Sequence, residues 1–142
     1  MEIQIYPDRS DLEQFTTILS ELAGWIVEEL GLEVAWADII LTDDQTLRKM
    51  HKNYLNDNTL TDVMTFNLSD TAAIEAEIYI SADRVSQQAS RFKTTMRNEL
   101  MRMVIHAFLH LAGFDDKTES KQKLMKTREE HFLLEAERTL SV

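Results

Sequence analysis

Two histidines, His106 and His110, stand four residues apart in a stretch that is otherwise apolar from Met103 to Ala112. On a helix, that spacing puts both imidazoles on one face, a turn apart. A helix that is apolar nearly all round is a buried one, and a buried imidazole needs partners for its nitrogens. A shared metal ion satisfies both rings at once. Gly113 follows, and glycine takes the left-handed conformation that ends a helix at little cost. The chain can then turn back toward the histidine face, and the next polar residues are Asp115 and Asp116. Two imidazoles and a returning carboxylate form a three-ligand set suited to zinc, with a fourth position left for a water whose pKa falls to about 7. A competing reading gives Asp116 no metal. Asp116-Lys117-Thr118-Glu119 has the form of an N-cap with a capping-box glutamate, and would open the last helix.

A water activated in this way attacks a phosphodiester or a peptide bond. Zinc peptidases of the His-Glu-x-x-His type carry their general base directly after the first histidine. Here that position is Ala107, so nuclease chemistry ranks above peptidase chemistry. No protein base can be assigned, and the catalytic group is the metal-bound water. Phosphate oxygens need nearby cations. The nearest by sequence are Arg48 and Lys52, four apart on one helix, and Arg102, one turn before His106. The commoner fate of such a basic pair is a solvated face. Metal-bound imidazoles also donate their second nitrogen proton to an outer partner. Glu99, seven residues before His106 on the same face, and Glu119 are the candidates. His131 stands among Glu129, Glu130 and Glu135 and reads as a surface histidine.

The elements that must hold these residues follow from periodicity. Residues 2–6 alternate polar and apolar up to Pro7, as in a short strand. Asp8, Ser10 and Asp11 are cap choices for a long amphipathic helix carrying Leu12, Phe15, Ile18, Leu19, Leu22, Trp25, Ile26 and Leu30, closed by Gly31. Leu32 to Leu41 reads as a strand. Thr42 and Asp43 cap a helix of about 43–54. Asn53 to Thr61 is a polar loop without glycine or proline. Strands at Asp62–Asn67 and Ile74–Ser81, with a polar link at 69–72, form an antiparallel hairpin-like pair. Helices are expected from Asp83 to Phe92, from about Thr94 to Ala112, and over about 118–138, where Leu124, Thr127, His131, Leu134 and Arg138 fall at helical spacing. Four strands and five helices in mixed order indicate an α/β (α+β) sandwich, one domain over residues 1–142.

Composition agrees. The chain of 142 residues is 44% hydrophobic, enough for a sizeable core. It has no cysteine, which excludes disulfides and thiolate metal sites. Its formal net charge of −10 argues against coating nucleic acid by bulk charge, so any RNA must be held locally by few contacts. The N-terminus does not read as a signal peptide, and no apolar run approaches the roughly 18 residues of a membrane span. A cytoplasmic protein without a membrane partner is expected.

The motifs carry a resemblance. His106-Ala-Phe-Leu-His110-Leu-Ala-Gly113-Phe-Asp115-Asp116 resembles the His-Gly-x-Leu-His-Leu-x-Gly-Tyr-Asp-His segment of the YbeY family, metal-dependent endoribonucleases of ribosomal RNA maturation. Thr61-Asp62-Val63-Met64-Thr65-Phe66 is similar to the family's Thr-Asp-Val-Leu-Ser-Phe, and Ala76-Glu77-Ile78-Tyr79-Ile80-Ser81 to its Gly-Asp-Ile-x-Ile-Ser. The three blocks occur in family order and span somewhat under half of the chain. The resemblance implies a four-stranded mixed sheet surrounded by helices. It implies one zinc ion per chain, held by His106, His110 and, at the third histidine position, Asp116. It further implies a single-stranded ribosomal RNA precursor as substrate, in maturation of the 16S 3′ end and in ribosome quality control, with the small ribosomal subunit or assembly factors as partners. There are departures. Leu55 stands where the family has an arginine, Ala107 replaces glycine, Leu60 replaces proline and Asp116 replaces histidine. An aspartate ligand makes the metal a weaker Lewis acid and repels phosphate. The alternative is therefore a ribosome-assembly protein whose metal is structural, closed by a fourth protein group such as Glu119.

Overall fold

Strands β1 (Glu2–Pro7), β2 (Val34–Thr42), β3 (Val63–Asn67) and β4 (Ile74–Ser81) form one sheet in the order β1-β2-β4-β3. β1, β2 and β4 run parallel, and β3 is antiparallel to β4. The structure, a computed structural model, describes residues 1–55 and 62–140. Within these, the α-helices are α1 (Thr16–Glu29), α2 (Asp44–Leu55), α3 (Ala82–Arg91), α4 (Met96–Leu111) and α5 (Glu119–Thr139). This is the mixed sheet with five helices expected from the sequence. Most of the expected loop at 53–61, with Leu60 and Thr61, lies outside the described residues, and so does the side chain of Leu55.

One face of the sheet is the core. Ala37, Ile39 and Leu41 of β2 and Ala76, Ile78 and Ile80 of β4 alternate inward and are fully buried, as the two-residue period of a strand dictates. Over them lie Leu19, Leu22 and Ile26 of α1 and Leu100, Val104, Ile105 and Phe108 of α4, all fully buried. α4 packs against α1, α3 and α5 as well as β3 and β4, which is why its sequence is apolar nearly all round. Only a narrow strip, with His106 and His110, emerges from that packing.

Some boundaries differ from the sequence reading. The first helix does not run unbroken from its caps. Ser10–Phe15 is a 3-10 segment, and α1 begins at Thr16. Leu12 N–H donates to Arg9 O at 3.1 Å, a three-residue bond of the kind common at helix starts. Leu32 belongs to the end of that helix rather than to β2, because its N–H donates to Val27 O at 3.0 Å across Gly31, whose φ is +64°. The buried face of α5 is Met125, Glu129, Leu133 and Ala136, one to two positions out of phase with the spacing read through Leu124 and Leu134, which are exposed.

Phe108 is fully buried between α4 and its neighbours. Phe108→Ala is expected to lower stability by about 3–5 kcal/mol, the usual cost of removing a buried aromatic ring. In urea unfolding this reads as a lower midpoint with an unchanged slope.

Candidate metal centre

α4 positions the two histidines, and its ending positions the third donor. Gly113 takes φ +101°. Gly113 N–H donates to His110 O and Phe114 N–H to Leu109 O, both at 3.0 Å, the paired bonds of a Schellman stop. The chain leaves at a fixed angle, and the Arg128 guanidinium of α5 lies 4.1 Å above the Phe114 ring, fastening the turn to the next helix. The two acids after the stop then divide. Asp115 accepts from Lys117 N–H at 3.1 Å and pairs with Lys121 Nζ at 3.2 Å. Those bonds hold its carboxyl below the usual carboxylate range. Asp116 turns the other way, with Oδ2 at 3.8 Å from both His106 Nε2 and His110 Nε2. Asp116 is not the helix cap. Thr118 is, accepting from Lys121 N–H at 3.1 Å.

His106, His110 and Asp116 therefore form a group that could hold a metal ion. Donor atoms around a tetrahedral zinc, at about 2.0–2.1 Å from it, stand roughly 3.3–3.4 Å apart. The separations here bracket that value, with the two Nε2 atoms 2.9 Å apart and the carboxylate 3.8 Å from each. The chemistry of the donors fits as well. His106 Nδ1 lies 2.6 Å from Glu129 Oε2. A carboxylate accepts the Nδ1 proton, which leaves His106 Nε2 as the lone-pair nitrogen, and that nitrogen points at His110 Nε2. Two such lone pairs repel unless a proton or a cation lies between them.

The electrostatics follow from burial and neighbours. Burial pulls the His106 pKa down, but the hydrogen bond to Glu129 and the charges of Glu129, Asp62 and Asp116 outweigh it and leave it raised. His110 is pushed below the ordinary histidine value by burial and by His106. Glu129 itself is buried on α5. Sequence reasoning missed it, although a signal existed: an acid at the fourth position of the apolar run Met125, Glu129, Leu133 is out of place unless it meets a partner.

The other sequence candidates fall elsewhere. Glu99 is buried, its pKa raised by that burial, and it pairs with Arg102 Nε at 3.4 Å. The outer partner seen on an imidazole is thus Glu129 rather than Glu99. Glu119 is exposed in the first turn of α5 and stands outside the donor group. Arg102 is held by Glu99 and by Glu130, the latter at 2.9 Å, so its charge is already spent within the fold. Arg48 and Lys52 are exposed on α2. His131 is exposed, as expected, with its ring edge-on to Phe132. A cleft of about 480 Å³ opens beside the two histidines, walled by β3 from Val63 to Asn67, by Leu111 and by His51. His51 was not singled out from sequence; it sits between Arg48 and Lys52, where attention went to charge. Asp62, whose Oδ2 accepts from Gln88 Nε2 at 3.0 Å, lines the adjoining hollow with His106, Asp116 and Glu129.

The fold and the donor group define a class: an α/β domain with a mixed four-stranded sheet and, at the end of its central helix, a His-His-Asp group that could hold a metal. Comparison with known proteins gives the family. Residues 4–137 match the family model of the endoribonuclease YbeY. The endoribonuclease YbeY of Christiangramia forsetii is 42% identical over 110 residues, covering 75% of this chain and 77% of that protein. That of Flavobacterium psychrophilum is 40% identical over 123 residues, 87% of each. That of Chlorobaculum tepidum is 32% identical over 117 residues, 82% of this chain and 85% of that one. The solution structure of a Thermotoga maritima protein superposes with a TM-score of 0.66 at 27% identity, covering 94% of this chain and 88% of that one. The chain belongs to the YbeY family of endoribonucleases.

Two outcomes test the donor group. Asp116→Ala is expected to remove bound metal, whereas Asp115→Ala leaves it in place, measured as metal per chain after dialysis. Glu129→Gln is expected to weaken metal affinity about 10–100-fold while both histidines remain. Because the His106 pKa is raised, protons compete for its Nε2 while the pH is still above the ordinary histidine value, so apparent affinity in the wild type declines from there as the solution is acidified.

Proposed function

We propose that this chain is a metal-dependent endoribonuclease that cuts single-stranded ribosomal RNA precursors. Its place would be in maturation of the 16S 3′ end and in ribosome quality control, in the cytoplasm, with one zinc ion per chain and the small ribosomal subunit or its assembly factors as partners. The observation that carries this reading is the convergence of His106, His110 and Asp116 beside an open cleft in a member of an endoribonuclease family. No helix among the described residues is long and apolar enough to cross a membrane.

A zinc ion on three protein donors supplies a Lewis acid for a phosphoryl oxygen and lowers the pKa of water to about 7. The chain's own groups supply the rest. Glu129 holds the Nδ1 proton of His106 and aims Nε2 at the donor group. Asp116, fixed by the Schellman stop, closes the third side. β3 and His51 wall the space in which a nucleotide strand would lie. Among the described residues the donor group has three members and Glu119 is not one of them, which favours an open site over a closed structural one.

One observation favours a second reading, an assembly protein with little catalysis. The surroundings of the donor group are acidic, with Asp62, Glu99 and Glu129 in the adjoining hollow, and Arg102 is neutralised there by Glu99 and Glu130. Lys126 is the other cation lining that hollow, so phosphate depends on the metal, on Lys126 and on the exposed Arg48 and Lys52 of α2.

The test is cleavage of an unstructured RNA by zinc-loaded protein. The wild type is expected to cut slowly and in a salt-sensitive way, and His110→Ala to lose both metal and cleavage. Leu55→Arg is expected to raise the rate. Lys52→Ala is expected to lower it, by up to the roughly 10²–10³-fold typical of losing one transition-state donor. Zinc-loaded protein that cuts nothing and gains nothing from Leu55→Arg supports the assembly reading.

A further inference from the structure

Phe92 caps α3 and keeps 65% of its surface in solvent. A lone exposed aromatic is ordinary, but several observations set this one apart. One is the backbone that presents it. Thr94 N–H donates to Ala89 O at 2.9 Å and Lys93 N–H to Ser90 O at 3.3 Å, the paired bonds of a second Schellman stop. Its left-handed residue is Lys93, at φ +54°, where a glycine is usual. Among the described residues no other non-glycine takes a positive φ, and strain of this kind gathers at functional sites.

Charge is another. Arg91, Lys93 and Lys126 are exposed, and among the described residues none of them enters an ion pair. The Arg91 guanidinium stands 5.8 Å from the centroid of the Phe92 ring. The last is continuity with the donor group. A hollow of about 380 Å³ has His106 and Asp116 on its wall, and a neighbouring one of about 570 Å³ has Thr94 and Glu130. Phe92 and Lys126 line both, so the ring borders the space that leads to the donors. Each hollow has the size of a small-ligand site, roughly 300–1,000 Å³. The acids between them are engaged, Glu99 and Glu130 with Arg102 and Glu129 with His106.

An exposed ring among unpaired cations is the pattern that holds single-stranded nucleic acid: a base stacks on the ring while the cations follow the backbone. A duplex offers no free base face to such a ring. An apolar anchor from a protein partner would use the ring but leave the cations idle.

We propose that Phe92 is a stacking platform for an unpaired base of the RNA strand, with Lys93 and Lys126 holding the phosphates that flank it. The choice of strand rests on the nuclease reading above; the role given to the ring is positioning. The probe is a short single-stranded oligoribonucleotide carrying, at successive positions, a fluorescent adenine analogue that is quenched when it stacks. Stopped-flow mixing with zinc-loaded protein reads the quenching before the slow cutting begins. Quenching is expected at one position of the strand. Phe92→Ala should abolish it and weaken binding about 5–150-fold, the range for removing a base-stacking aromatic, while Phe92→Trp keeps both. Because Phe92 is exposed, its urea midpoint should stay that of the wild type. Lys126→Ala should lower the slope of log affinity against log salt by about 0.7, one phosphate's share in a single strand. Tyr6→Ala, which removes an exposed ring from β1, should change neither affinity nor quenching. Quenching that Phe92→Ala removes, in protein that cuts nothing, upholds the platform and leaves the nuclease reading to fall alone. Cutting that proceeds with no quenching at any position, and unchanged by Phe92→Ala, overturns the platform alone. Equal losses in Tyr6→Ala, or duplex RNA bound as tightly as the single strand, would also overturn it.

Discussion

A carboxylate on α5 meets an imidazole on α4 at 2.6 Å, and both the packing and the chemistry of the domain pass through that bond. Glu129 is 5% exposed. An ionised carboxylate so placed is costly unless it is paired and hydrogen-bonded, and His106 provides the pair. The histidine in turn would be free to adopt either tautomer without Glu129. One bond therefore does two things. It permits α5 to lay a face containing an acid against the core, and it turns the lone pair of His106 toward His110 and Asp116. The apolar neighbours of Glu129 on that face, Met125 and Leu133, are buried with it, and the edge-to-face contact of Phe132 with Trp25 at 6.2 Å ties the same helix to α1.

Charge is sorted by location. Around the donor group, acids outnumber the available cations, because Arg102 is committed to Glu99 and Glu130. An acid-rich pocket suits a cation and repels a bare phosphate.

How far the sequence revealed all this depended on whether a signal was local. The histidine helix was legible because a polar pair in a continuous apolar run has few explanations, and the helix stop was legible because Gly113 is needed for a positive φ. The strands were legible from alternation, β4 to its exact ends at Ile74 and Ser81. The cap-or-ligand ambiguity of Asp116 was not resolvable from sequence, since Asp116 and Thr118 are both good caps. In three dimensions Thr118 takes the cap and Asp116 turns toward the two histidines. Glu129 escaped notice because α5 has apolar residues on more than one side. Leu124 and Leu134 suggested a phase that the packing does not use, and only contact with α4 shows which stripe is buried. Arg102 had the right place in the sequence, but its ion pair with Glu130 depends on a residue of α5 that comes 28 positions later.

The candidate donors and the residue that orients one of them all lie between positions 106 and 129, on two helices and the short turn that joins them. The sheet, by contrast, joins β2 to β4 in parallel, so its ladder pairs residues such as Ile39 and Ile78 that are far apart along the chain. Contacts between sequence neighbours form quickly, whereas parallel pairings must first close long loops and form slowly. The helical pair that carries the donors can thus assemble as a local unit before the scaffold beneath it is complete. The groups that could hold an ion thus come from one contiguous stretch of chain, whereas the scaffold beneath them is gathered from strands far apart along it.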